Sequence, residues 1–286
     1  MTPTLSVRDL TVHFGDPETC PPALHRASFD IASGQSLAVI GESGSGKSTL
    51  CNTLTGLFTP ARSFLYRHAP ATVSGQALFK GHCLLHLSAT ERQALHGAEV
   101  ALLPQGIDAL NPLMTVGNHI IETLAAHGRL PRSHARTRAL ELLERFHLPE
   151  ANRIARAYPY QLSGGMARRA LMAVTLACAP RLVLADEPTQ GLDNETRDRL
   201  LATLAVSIQE NQSALLLVTH DLEVAATCDH VAVLEQGRIV EQGPARQLFA
   251  APAHPYTQRL LQAGTLCLDG NETPLATSAA AHRRIP

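Results

Sequence analysis

Eight residues constrain this chain more than any others. Gly41-Glu-Ser-Gly-Ser-Gly46-Lys47-Ser48 has the spacing G-x-x-x-x-G-K-[ST]. Glycines at those positions let the backbone curl until successive N–H groups converge on an anion, and a following helix adds the positive end of its dipole. In such a loop Lys47 reaches the outer phosphates of a nucleotide and the Ser48 hydroxyl ligates Mg²⁺. The flanks agree. Leu37 to Ile40 is a continuous apolar run, as in a strand buried on both faces of a parallel sheet. Leu50, Leu54 and Leu57 stand at i, i+4 and i+7, one face of a helix. Strand, glycine loop and helix form a βα unit, and an α/β nucleotide-binding core is expected.

A second element carries two acids. Leu182-Val-Leu-Ala-Asp186-Glu187-Pro188 is an apolar strand that ends on a carboxylate pair. Asp186 is placed to hold Mg²⁺ through water, and Glu187 to polarise an attacking water as general base.

The rest of the chain organises around these two elements. Leu5 and Val7, then Leu10, Val12 and Phe14, then Phe29 and Ile31 alternate with polar residues, which predicts short antiparallel strands with one wet face. From about Asn118 to Ala179 the pattern is helical: Ala135 to Phe146 is dense in good helix formers, and Met166, Ala170, Ala173, Val174 and Ala177 mark one face of a helix that Pro180 stops. Buried strands resume at Leu182 and Ala214, and a hairpin is expected around Gly237. An α/β core is thus interrupted by a helical insertion and then resumed. We place the nucleotide-binding core at 1–245, the helical subdomain at about 107–180, and a short extension at 246–286.

Composition removes several function classes. Among 286 residues, 24 Lys and Arg balance 25 Asp and Glu for a net charge of −1, so no bulk field draws the chain to nucleic acid. No apolar run approaches the ~18 residues of a membrane helix, and the N-terminus shows no secretory signal, so the chain is not expected to cross a membrane unaided. The six cysteines include no C-x-x-C pair and are expected as free thiols.

Six ordered motifs together resemble the ATP-binding cassette (ABC) ATPases. They are the Walker A loop Gly41, Glu42, Ser43, Gly44, Ser45, Gly46, Lys47 and Ser48 with Thr49; the Q-loop Gln105; the signature Leu162-Ser163-Gly164-Gly165-Met166; the Walker B strand ending on Asp186, with Glu187; the D-loop Gly191-Leu192-Asp193; and the switch residue His220. The resemblance covers about Leu5 to Leu261. It implies a P-loop NTPase with a RecA-like core, an N-terminal antiparallel β subdomain and an inserted α-helical subdomain. It implies ATP as substrate, Phe14 stacked on adenine, and Mg²⁺ held by Ser48, Gln105 and Asp186. It also implies catalysis by Glu187, His220 and Gln105, with the signature of one subunit closing on the ATP of the other.

Leu110-Asn111-Pro112, the stretch Gly237 to Gly243 and the tail His254-Pro255-Tyr256-Thr257 look like importers for peptides, nickel and related chelates. Only Cys267 follows His254, too few thiols for an iron–sulfur cluster needing about four, and this short tail tilts the expected cargo toward nickel or a metal chelate. The partners so implied are a second, distinct ATPase subunit, two permeases and, indirectly, a solute-binding protein, at the cytoplasmic face of the inner membrane. The alternative is a soluble accessory subunit of a carbon–phosphorus lyase. Four positions depart from the family pattern: Pro104 and Gly106 around the glutamine, Arg168 in the signature helix and Gln190 before the D-loop. His82 and His86, read as strand residues, lie too far apart for one metal. Arg129, Arg132, Arg136 and Arg138 read as a solvated helix face.

Overall fold

The structure is a computed structural model that describes residues 3–16, 20–56, 71–128 and 130–263. The chain divides into two compact units, Met1–Arg92 with Ala214–Pro286, and Gln93–Ser213.

The first unit holds two sheets. Strands β1 (Leu5–Phe14), β2 (Leu24–Ile31), β4 (Ala71–Phe79) and β5 (His82–Cys83) pair antiparallel in the order β2-β1-β4-β5. Leu5, Val7, Leu10 and Val12 are all fully buried although the alternation skips a beat between Val7 and Leu10. The cause is a bulge: Asp9 turns to φ 47° and the register against both neighbours shifts there. Gly75 faces it, and a Cβ on Gly75 would lie 2.5 Å from the Asp9 carbonyl oxygen.

The other sheet of this unit runs β10-β9-β3-β8. Here β3 (Ser36–Ile40) is buried along its whole length and lies parallel to β8 (Ala214–Val218) and β9 (His230–Glu235), while β10 (Arg238–Pro244) returns antiparallel to β9. The expected hairpin turns through Gln236 (φ 47°) and Gly237 (φ 79°), a left-handed pair whose twist matches its strands. Asp229 accepts from the Ser36 amide (2.8 Å) and hydroxyl (2.7 Å), tying the starts of β3 and β9. Helices α1 (Lys47–Leu54), α8 (Leu222–Ala226), α9 (Ala245–Ala250) and α10 (Pro255–Ala263) complete the unit. Leu57 and the stretch from 264, with Cys267, lie outside the described residues. None of the five described cysteines is in a disulfide, and burial pushes the Cys228 thiol up to about 12.

One local reading is corrected here. His82 and His86, read as residues of one strand, are not: the strand is His82–Cys83 alone, and Leu84–His86 is a 3₁₀ turn. Leu84, 1% exposed, anchors that turn in the core. A capping box between Ser88 and Glu91 then opens α2 (Ala89–Leu95), with Ser88 N donating to Glu91 at 2.8 Å and Glu91 N to Ser88 at 3.2 Å.

In the second unit β6 (Val100–Leu103) pairs parallel with β7 (Leu182–Asp186). Its helices are α3 (Val116–Ala126), α4 (Arg132–Arg145), α5 (Ala151–Arg156), α6 (Gly164–Thr175) and α7 (Asn194–Asn211). Ile120, Leu124, Ala135, Leu142, Leu143 and Ile154 form the core between α3, α4 and α5. Gly117 permits close contact of α3 with α5, because a Cβ there would meet the Ala155 carbonyl oxygen at 2.7 Å. Arg132 and Arg138 make exposed ion pairs with Glu122 and Glu141, contacts of ~0.2–1 kcal/mol at most; Arg129 is outside the described residues. The helix expected to run to Pro180 ends at Thr175, and the chain turns through Ala179 (φ 51°). A helical Pro180 would lack its N–H and crowd the Leu176 carbonyl, so the helix ends a turn early.

Candidate functional site

The first unit carries the glycine loop between β3 and α1. Its close contacts explain the glycines. A Cβ on Gly41 would lie 2.2 Å from the Leu234 carbonyl oxygen, and one on Gly46 (φ 108°) would lie 2.5 Å from that of Ala23. Gly44 (φ 81°) has open space around its Cβ position and needs glycine for its dihedral alone. The loop is pinned by Ser45 N to Glu42 O (3.2 Å) and by Gly237 N to Ser45 O (2.9 Å). Lys47 is 7% exposed, and its Nζ donates to the carbonyl oxygens of Gly41 (2.8 Å) and Glu42 (2.9 Å). The Ser45 Oγ is buried without a hydrogen-bond partner, a state that polar atoms in folded proteins rarely keep. A buried cation in the curl of the loop, an orphaned hydroxyl beside it and the positive end of the α1 dipole together fit a phosphate ligand. Glu42, Ser43, Gly44 and Ser48 are exposed, and Thr49 is half-buried in the first turn of α1.

Two further candidates stand in this unit. Phe14 is half-buried at the last position of β1, paired with Ala71. His220 is exposed just beyond β8. Its neighbours fix the backbone there: Thr219 Oγ accepts from Asp221 N (3.0 Å), and Asp221 caps α8 by accepting from the amides of Glu223 and Val224.

The second unit carries the remaining candidates. Asp186 ends the fully buried β7, and both it and Glu187 are 8% exposed. Glu187 has φ 49°, a left-handed conformation rare for a residue with a side chain and concentrated at functional positions. The chain then turns by Gln190 N to Glu187 O and Leu192 N to Thr189 O, each 3.2 Å. Asp193 caps α7, accepting from Thr196 N at 2.9 Å, and hydrogen bonds from that amide and the Thr196 side chain hold its carboxyl below the usual range. Ser163 caps α6 and accepts from Met166 N at 3.4 Å. Ser163 and Gly164 are exposed, with Leu162, Gly165 and Met166 half-buried. Signature and D-loop adjoin: the Cβ position of Gly165 is 3.9 Å from Leu192 Cδ2 and 3.5 Å from Thr196 Cγ2 in the first turn of α7.

All four departures noted in the sequence lie in this unit, and two of them, Pro104 and Arg168, meet. Gln105, exposed at the end of β6, donates from Nε2 to the Gln190 Oε1 at 2.5 Å. Arg168, 6% exposed, donates to the Pro104 carbonyl at 3.0 Å, and burial pulls its guanidinium below the ordinary arginine value. Asp108 Oδ1 lies 1.8 Å from where a Cβ on Gly106 would be. Residue-by-residue reading missed these pairs because the partners stand 85 and 64 positions apart. It also missed Tyr256, whose hydroxyl accepts from the Glu42 amide at 3.1 Å.

Known proteins are similar along most of the chain. A profile of the ABC transporter family matches residues 24–190. The dipeptide transport ATP-binding protein DppD of Escherichia coli (strain K12) is 39% identical over 262 residues, 91% of this chain and 77% of its own. The oligopeptide transport ATP-binding protein OppD of Salmonella typhimurium is 35% identical over 261 residues, 91% of this chain and 75% of its own. The ATP-binding cassette MJ0796, solved as a dimer in a post-hydrolysis state with ADP and Pi, superposes with a TM-score of 0.73. It is 27% identical and covers 85% of this chain and 99% of its own. The expected α/β cassette architecture is borne out by that neighbour and by the sheets and helices above. The chain belongs to the ABC transporter family, as one of its ATP-hydrolysing cassettes.

Proposed function

We propose that this ATPase energises a membrane importer for di- or oligopeptides. The observation that carries it is identity of 35–39% across about nine-tenths of the chain to proteins named for dipeptide and oligopeptide transport. Among the described residues no helix is long and apolar enough to cross a membrane. The partners of the proposal are two permease subunits, a second cassette ATPase and a solute-binding protein that delivers cargo. The place of action is the cytoplasmic face of the membrane.

In the reaction, Lys47 and the loop amides bind the phosphates of ATP, and Phe14 carries the adenine. Ser48, Gln105 and Asp186 are assigned to Mg²⁺, which supplies charge neutralisation at the phosphates. Glu187 takes the proton of the attacking water, and His220 orients that water against the γ-phosphate. Leu162 to Met166 offer the start of α6 to the ATP of the partner ATPase, so the isolated chain hydrolyses slowly. Asp193, capping α7 beside Gly165, holds the signature in place.

Tagging the chain at natural abundance, solubilising membranes in mild detergent and identifying what co-purifies tests the proposal. Two polytopic permeases and a second cassette are expected, with ATP-dependent uptake of peptides in reconstituted vesicles. Uptake of nickel or a metal chelate instead would replace the peptide reading. Recovery with soluble carbon–phosphorus lyase subunits and no permease would overturn the importer.

A further inference from the structure

The stretch His254-Pro255-Tyr256-Thr257 has no part in the function proposed above. It opens α10 and is fastened on several sides. The Glu241 carboxylate accepts from the amides of Ala253 (2.8 Å) and His254 (3.0 Å). His254 Nδ1 accepts from Tyr256 N at 3.2 Å. Arg259 lies over the Tyr256 ring, 5.9 Å from its centroid, and its guanidinium stands 3.7 Å from Glu235 at the end of β9. Held this way, Tyr256 is 5% exposed and its hydroxyl oxygen takes the Glu42 N–H.

Glu42 is the second residue of the glycine loop, and its own carbonyl holds the Lys47 ammonium. One residue is therefore gripped from its amide side by Tyr256 and carries the phosphate-binding lysine on its carbonyl side. If the amide grip is removed, the 41–42 peptide can rotate and its neighbouring carbonyls no longer define one position for Lys47. A loop that spends only a fraction of its time in the competent form binds more weakly by that fraction.

We propose that Tyr256 is a positioning residue for nucleotide: through the Glu42 amide it sets the loop that aims Lys47, and the segment around it braces the ATP site from the far end of the chain. This rests on the reading of Gly41 to Ser48 as the ATP loop.

The test uses the full chain, with Tyr256→Phe removing one oxygen and keeping the ring and its arginine. MgATP affinity, thermal midpoint without nucleotide and hydrogen exchange of the loop peptide are measured together. Tyr256→Phe is expected to weaken MgATP roughly three- to tenfold, the effect of one hydrogen bond, and to speed exchange in residues 41–46 while other peptides keep their rates. Glu241→Ala, which unfastens the same segment without touching Tyr256, is expected to weaken MgATP in the same direction. Unchanged affinity in both variants overturns the proposal, and so does a lowered thermal midpoint with affinity intact, which marks a structural role only. Failure of the unsubstituted chain to bind MgATP overturns the loop reading itself, and this inference with it.

Discussion

Gly46→Ala and Gly44→Ala are the same chemical change in the same loop, yet they should not be equivalent. Both positions have a positive φ, 108° at Gly46 and 81° at Gly44; a Cβ costs ~1–2 kcal/mol near the left-handed region, and at least that at residue 46, whose φ lies further from it. The surroundings then separate them. The new methyl at residue 44 meets nothing within 4 Å, whereas at residue 46 it lies 2.5 Å from the Ala23 carbonyl oxygen and 3.0 Å from Leu24 Cδ2. Neither can withdraw easily. Ala23 is bonded through its amide to Val12 O at 2.8 Å, and Leu24 is fully buried in β2. The loop must move instead, against the Gly237 N to Ser45 O bond. Overpacking of this kind costs a further ~1–3 kcal/mol. With about 2–4 °C per kcal/mol for a domain of this size, Gly46→Ala should melt roughly 2–12 °C below Gly44→Ala when both are scanned by circular dichroism without nucleotide. Gly46→Ala should also lose MgATP binding, because the displaced peptide carries the start of α1. Equal midpoints, or a lower one for Gly44→Ala, would refute the claim that contact with Ala23 makes residue 46 glycine.

Other predictions concern the chemistry. Lys47→Ala removes the buried cation of the loop, and MgATP affinity measured by titration should fall at least about 10²-fold, the loss of two charged hydrogen bonds. Glu187→Gln should leave that affinity within about twofold and lower phosphate release in the assembled transporter by about 10²–10⁴-fold, the usual contribution of a general base; unchanged turnover would remove Glu187 from the role. Burial raises Glu241, but its hydrogen bonds from the amides of Ala253 and His254 help to hold its carboxyl below the usual 4.5. A lowered folded value means its stabilisation is complete above pH 4.5 and fades as pH falls through the folded value. Chemical denaturation of Glu241→Gln against the unsubstituted chain should therefore show a stability gap at neutral pH that narrows below about pH 4.5.

The parts legible in the sequence were those written in short periods. A four-residue apolar run before a glycine loop marked β3, and the stride Leu50 to Leu54 marked α1, because both patterns follow from one element meeting one buried face. The jump from Val7 to Leu10 was visible too, but its cause was not, since a bulge needs a partner strand and the glycine opposite Asp9 is 66 positions away. Helix ends were read less well. The sequence marks Pro180 as the stop of α6, but the steric demand of a proline reaches back four residues and the helix ends at Thr175. Long-range side-chain pairs were not legible at all. Nothing local in His254-Pro255-Tyr256-Thr257 points to Glu42, 214 positions earlier.

The departures from the family pattern show what this limit means. Taken singly, Pro104 removes a donor, Gly106 removes a side chain, Arg168 puts a cation inside a helix packed in the core, and Gln190 lengthens a small side chain. Each reads as a defect. In the folded unit each deficit is met by a neighbour: the Pro104 carbonyl accepts from Arg168, Asp108 fills the space beside Gly106, and Gln190 reaches Gln105. A guanidinium with 6% exposure is tolerable only if its charge is hydrogen-bonded, and the Pro104 carbonyl supplies an acceptor. Two of the departures, Pro104 and Arg168, are therefore coupled to each other, while Gly106 and Gln190 are matched to Asp108 and Gln105. That coupling joins the β6 end to the signature helix on one side and to the approach of the D-loop on the other, so the Q-loop here is tied to both by side chains the motif does not specify.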